Sequence, residues 1–342
     1  MNTALAFLRE HRARLALDQW GVPERLTSVV LTPRFAASRH VIVLLLPAGR
    51  AEPVLVAKLP RLAGDGAALA HEADVLRMLQ AGRPGGLDSV PAVIAFEEVG
   101  GYPLLVETAL VGPPLDRAAV RRDPARACAL GVEWLADVAA PSRGTLDEAA
   151  FARLISGPLA AFAADFPLGR EDETLLTATQ AAAEWLRGAG LPLVLEHGDL
   201  SHPNLILRAG GGLGVVDWEL AQLAGLPAHD LFFFLTYVAF ARQGARATVA
   251  QVRAFRGAFF GRDAWARPHA LEYAARLGLA SEWLGPLFVL CWARYATQLW
   301  ARVSAAEGAP AANGERAAWL RDNRYYVLWQ VAARHLGDLA WL

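Results

Sequence analysis

The sequence predicts an α+β protein of two lobes, a small N-terminal one of antiparallel sheet plus helix and a larger, mostly helical C-terminal one. Three observations predict it. Leucine-rich and β-branched runs crowd the start of the chain at Ser28 to Leu31, His40 to Leu46 and Pro53 to Leu59, the last two joined by the turn Pro47-Ala-Gly-Arg-Ala. A further pair, Val90 to Glu97 and Tyr102 to Glu107, flanks Gly100-Gly101, which marks a hairpin. From about residue 115 the pattern is mostly helical, interrupted only from Pro192 to Asp217. Val111-Gly-Pro-Pro breaks regular structure and sets the lobe boundary near 110, giving lobes of 1–109 and 110–342.

At 342 residues and 54% hydrophobic, the chain is long enough for one large core or two modest ones. A formal charge of −1 without a basic run gives no nucleic-acid surface. The apolar run Leu231 to Ala241 is too short to span a bilayer, so no membrane partner is expected. Cys128 and Cys291 stand apart with no Cys/His cluster nearby, which argues against a zinc site or a disulfide framework and for a reducing cytoplasm. The first twenty residues mix Arg9, Glu10, His11, Arg12 and Arg14 with leucines, so residues 4 to 19 read as an amphipathic helix rather than a leader. The expected assembly is a monomer or a homodimer.

Of 33 basic residues, Lys58 alone is a lysine. In a chain that otherwise uses arginine, this points to a position needing a compact ammonium rather than a planar fork. Helix 67–80 carries Leu69, Ala73, Leu76 and Leu79 as its apolar stripe, with Glu72 inside it. A carboxylate on a buried face is costly without a cation, and the preceding strand offers Lys58 as its partner; the alternative is a helix rim where Glu72 reaches solvent.

The chemistry concentrates further on. Leu193 to Glu196 is a short buried strand that runs into His197-Gly-Asp-Leu-Ser-His-Pro-Asn204, a polar loop between apolar segments. Leu205-Ile-Leu, the Gly210-Gly-Gly turn and Leu213 to Val216 form a hairpin that returns Asp217-Trp-Glu219 to the neighbourhood of Asn204. Two oxygen ligands at one hairpin end suit Mg2+, which completes its octahedron with water and phosphate. Asp199 is then left to orient a hydroxyl, and phosphoryl transfer asks for little more than that carboxylate, a metal and a lysine.

The loop HGDLSHPN at 197–204 followed by VVDWE ending at Glu219 resembles the catalytic loop and metal motif of the aminoglycoside phosphotransferase and choline kinase family. The resemblance covers roughly residues 25 to 235 and implies a protein-kinase-like fold. It implies that Lys58 holds the α- and β-phosphates of ATP or GTP and that Glu72 pairs with Lys58. The connection Val106 to Ala109, with Glu107 and Ala109, becomes the hinge that takes the nucleobase. Asp199 becomes the catalytic base, Asn204 and Asp217 the Mg2+ ligands, and Asp230 the brace of the catalytic loop. Two departures stand out. Ser201 occupies the place where the family's common pattern has His, with His202 following. The stretch Thr32 to Ser38 lacks glycine, leaving Ser38 as the candidate phosphate contact.

A protein kinase is disfavoured, because Gly198 stands where its arginine belongs and too few residues separate Asp217 from Asp230 for an activation segment. A small hydroxylated acceptor fits better. Residues 220–342 hold 13 Arg against 8 Asp and Glu, together with many aromatics, most of them core. That balance favours a sugar, nucleoside or glycosylated natural product over an aminoglycoside antibiotic or amino alcohol, and antibiotic resistance is one role such chemistry serves. Glu171 to Glu173 could attract a cationic acceptor, but they also suit the first turn of the following helix. A pseudokinase that binds nucleotide without turnover is the alternative from another class.

Overall fold

In the computed structural model the described residues are 3–32, 40–61, 66–82, 87–139, 144–304 and 313–338. Ser38 lies outside them. The strands in chain order are β1 (Leu26–Leu31), β2 (His40–Pro47), β3 (Leu55–Pro60), β4 (Val93–Val99), β5 (Tyr102–Thr108), β6 (Val194–Glu196), β7 (Leu205–Leu207), β8 (Leu213–Val215) and β9 (Gln222–Gly225). They belong to two compact units, Met1–Pro114 with Pro203–Ala221, and Leu115–His202 with Gln222–Leu342. The segment 203–221, which the sequence groups with the C-terminal lobe, joins the first unit for a physical reason. The Val215 amide donates to the Ser89 carbonyl and the Leu207 amide to the Pro113 carbonyl, each at 2.8 Å.

The first unit is built on a five-stranded antiparallel sheet of order β1-β2-β3-β5-β4. Gly100 and Gly101, at φ 62° and 83°, make the two-residue turn between β4 and β5 that only residues tolerant of positive φ accept readily. Side chains alternate across the sheet. Val43, Leu45, Leu55, Ala57, Leu104 and Val106 pack with Phe7 and Leu8 of the N-terminal helix Thr3–Glu10. Leu105 faces the other way, against Leu69 and Ala73 of helix Gly66–Ala81. Lys58, directly opposite Leu105 in the β3–β5 ladder, shares that second face.

The N-terminal helix is shorter than its amphipathic pattern predicts, ending at Glu10. Arg12 explains this. Its guanidinium donates to the carbonyls of Val22 and Pro23 and to Asp18, which draws the chain into turns, with Ala16 at φ 50°.

The second unit is helical apart from the antiparallel β6–β9 pair. Its central helix, His229–Gln243, is buried almost all round, which accounts for the apolar run Leu231 to Ala241. Phe232, Phe255, Phe259 and Phe288 interlock around it, with Phe255 and Phe288 stacked at 5.5 Å. Glu171, Asp172 and Glu173 form the first turn of helix Arg170–Glu184. Glu171 pairs with Arg334 at 2.9 Å and Asp172 accepts from Gln330 at 2.6 Å, so two of these charges are engaged within the helical packing. Among the described residues no helix is long and apolar enough to cross a membrane.

Candidate active site

In the first unit, helix Gly66–Ala81 brings Glu72 over the sheet to Lys58. The two meet at 2.6 Å and are almost wholly removed from water, with side chains 0% and 4% exposed. The same Glu72 oxygen accepts the Trp218 amide at 2.8 Å, so one carboxylate joins the sheet lysine to the segment Asp217–Glu219. One residue earlier, the His71 ring bonds the Ala221 carbonyl at 2.7 Å. Lys58 also lies 3.3 Å from Glu107 and 3.9 Å from Asp217. Burial opposes its charge, but Glu107, Glu72 and Asp217 outweigh that and hold the ammonium above its usual pKa.

Asn204 and Asp217 come together as the hairpin predicts. Leu205 pairs with Val215, and the Val216 amide donates to the Asn204 carbonyl at 3.0 Å, so Asp217 follows directly. Asp217 sits at φ 71°, a left-handed conformation uncommon for a residue with a side chain and frequent where function demands it. Its carboxylate is 39% exposed and open to water. Among the described residues no cluster of three or more His, Cys, Asp or Glu could hold a metal. A carboxamide and a carboxylate at one hairpin end fit Mg2+, which needs few protein ligands.

The family resemblance places Glu107 at the hinge, and its side chain proves to be a third carboxylate beside the lysine. Burial pushes its pKa up to about 7, only partly offset by Lys58. A carboxyl held above its unfolded value lowers stability as pH rises, here from about pH 4.5 through about 7. Glu107→Gln is therefore expected to gain stability relative to the parent at pH 8 and not at pH 4.5, in denaturant midpoints at both values. An equal difference at the two would show that Glu107 does not titrate there. At Ala109, which the family resemblance also places at the hinge, the amide donates to the Val54 carbonyl at 3.0 Å.

The second unit holds the loop with Asp199. Asp230 receives the amides of His197 and of Gly198, the latter at 2.9 Å, and so fixes the start of the loop. Burial raises the Asp230 carboxyl to about 7, Glu196 adds to this, and the two amides oppose it. His197 is buried and its Nδ1 accepts the Asp199 amide at 3.2 Å, which ties its ring to the loop. Ser201 Oγ donates to Asp199 Oδ1 at 3.2 Å, so the residue that departs from the family pattern orients the carboxylate. His202 is exposed.

Beneath the loop is an ion pair that sequence reasoning missed. Arg294, from helix Leu284–Ser304, binds both oxygens of Glu196 at 3.1 Å and also meets His229 Nδ1, all three side chains buried. Burial, then the Arg294 charge, hold the His229 pKa well below its usual value, so its imidazole is the neutral acceptor this contact needs. Gly225 on β9 makes room: a Cβ there would lie 2.4 Å from a Glu196 carboxylate oxygen. The signal was available, because Glu196 interrupts an apolar strand and Arg294 an apolar helix just as Glu72 interrupts its own stripe.

A profile of the phosphotransferase enzyme family matches residues 43–271. No curated protein sequence matches the chain at a significant level. Among solved structures, the GDP complex of wild-type aminoglycoside 2'-phosphotransferase-IIIa is similar at 15% identity and a TM-score of 0.51, covering 96% of this chain and 98% of that one. Choline kinase LicA from Streptococcus pneumoniae is similar at 13% identity and a TM-score of 0.52, over 96% and 99% of the two chains. A thermostable mutant of aminoglycoside phosphotransferase APH(4)-Ia follows at 13% identity and a TM-score of 0.50, over 94% and 98%. At such identities these likenesses speak to the fold, which is protein-kinase-like, while the profile spans most of the chain and includes Lys58, the loop 197–204 and Asp217. The chain belongs to the phosphotransferase enzyme family, as a phosphotransferase with an alcohol group as acceptor.

Proposed function

We propose that the protein transfers the γ-phosphoryl group of ATP or GTP to a hydroxyl of a sugar, nucleoside or glycosylated natural product. The observation that carries this reading is the buried tie from Lys58 through Glu72 to the Trp218 amide, which holds a phosphate-binding ammonium beside Asp217. A bound GDP in the solved aminoglycoside 2'-phosphotransferase-IIIa supports a nucleotide co-substrate.

Lys58 neutralises the α- and β-phosphates, and the backbone near Glu107 and Ala109 meets the base. Asn204 and Asp217 hold Mg2+, which when bound offsets the charge of the phosphate oxygens. Asp199, aimed by Ser201, accepts the proton of the acceptor hydroxyl as that oxygen bonds to the γ-phosphorus. The bond to the bridging oxygen breaks, and the nucleoside diphosphate leaves.

Asp199→Asn is expected to lower kcat by about 10²–10⁴ while nucleotide affinity changes little. Mass spectrometry of acceptors incubated with enzyme, Mg2+ and either ATP or GTP reads the outcome, since one added phosphoryl group separates this reaction from nucleotidyl transfer. An Asp199→Asn protein as active as the parent would remove Asp199 from the mechanism. Nucleotide binding without product from any acceptor would favour the pseudokinase reading.

A further inference from the structure

Phe233 lies one turn beyond Asp230 on helix His229–Gln243, on the face that Asp230 turns towards the loop before Asp199. Its ring stacks on Tyr295 at 4.2 Å with only 17° between planes, and Tyr325 closes the group at 5.9 Å from Phe233 and 5.6 Å from Tyr295. Tyr325 is only partly buried, so the cluster opens to solvent at this ring. Burial pushes the Tyr325 hydroxyl up to about 12, and Asp199 adds to the shift through space, as it does for Tyr295. The Arg324 guanidinium sits 5.2 Å from the centre of the Tyr325 ring, and Arg302 also acts on that hydroxyl. Arg324 and Arg302 thus bring positive charge to the open ring, and the Asp199 carboxylate opposes them. A polycation would meet repulsion here, whereas a flat ring with an acidic group would find a stacking face and a counter-charge.

We propose that Tyr325, backed by the buried rings of Phe233 and Tyr295, forms the acceptor wall beside Asp199, and that with Arg324 it selects a hydroxylated ring compound carrying a negative charge over a polycationic one. The inference rests on the phosphotransferase reading with Asp199 facing the acceptor hydroxyl. Tyr325 supplies the stacking surface, and Arg324, which is exposed, supplies the charge preference.

The test uses three probes with the full chain, Mg2+ and ATP or GTP: phenyl β-glucuronide, phenyl β-glucoside and kanamycin. The expected order of kcat/KM is glucuronide, then glucoside, then kanamycin. Arg324→Glu should lower the value for the glucuronide about tenfold or more beyond any change for the glucoside, as expected for losing a charged partner. Tyr325→Leu should raise KM for both phenyl glycosides, with melting temperature checked for each variant. Kanamycin as the best acceptor, a glucuronide preference unmoved by Arg324→Glu, or no transfer to either phenyl glycoside while nucleotide still binds would each overturn the wall. Failure to bind nucleotide is a different result, and it would overturn the phosphotransferase reading beneath it.

Discussion

Lys58→Met is expected to lower phosphoryl transfer by about 10²–10³, the usual cost of removing one aimed cation from a site of this kind. The same change should destabilise the fold, and the two effects are separable. Lys58 lies within 4 Å of three carboxylates, of which Glu72 and Glu107 are buried. Removing one partner of a buried ion pair costs about 3–5 kcal/mol, because a charge is left without its counter-ion. The cost should depend on pH, since Glu107 can escape it by taking up a proton. Its pKa is already raised above the unfolded value, and losing the cation raises it further. Lys58→Met should therefore be closer to the parent in stability at pH 5 than at pH 8. Adding Glu107→Gln should restore part of the stability at pH 8 and none of the transfer. Denaturant titrations at both pH values, beside transfer assays, measure this. A loss of stability that is equal at pH 5 and pH 8 would mean the cluster is not held together by charge. Lys58→Arg is expected to fail as well, because the guanidinium fork cannot replace a single Nζ placed 2.6 Å from Glu72 and 3.3 Å from Glu107 in a closed site.

Much of this cluster was legible in the sequence because burial makes charge conspicuous. A glutamate inside an apolar helical stripe needs a cation, and one lysine in an arginine-rich chain stands out as its partner. The β7–β8 hairpin was equally legible, since the alternating runs around Gly210-Gly-Gly fix which residues meet at its open end. The N-terminal helix was misjudged because periodicity does not register Arg12 capturing carbonyls further along the chain. Glu107 was read through the backbone of its strand, although its side chain shares a face with Lys58 by the two-residue repeat of β5. The grouping of 203–221 with the first unit depends on long-range hydrogen bonds to Ser89 and Pro113, which no local pattern encodes. Tertiary partners distant in sequence are what the pattern lacks, and Arg294 with Glu196 is the clearest instance.

Arg294→Met is the second change expected to have a large effect. Glu196 would keep the Leu226 amide at 3.2 Å as its partner but lose both guanidinium bonds in a fully buried setting. The expected loss is again about 3–5 kcal/mol. Pairing it with Glu196→Leu removes the stranded charge as well, and an apolar replacement of a buried pair is often nearly neutral. The double variant should thus recover most of the stability, and the double-mutant cycle gives the coupling directly. Recovery of stability need not mean recovery of function. Glu196 immediately precedes His197, and Arg294 also contacts His229, the neighbour of Asp230, so both ends of the brace on the catalytic loop hang from one guanidinium. If that ion pair positions the loop, the double variant will fold and bind nucleotide yet transfer phosphate more slowly, with the deficit in kcat. If kcat returns together with stability, the pair is only a structural filling, and Asp230 alone suffices to hold Asp199 in place.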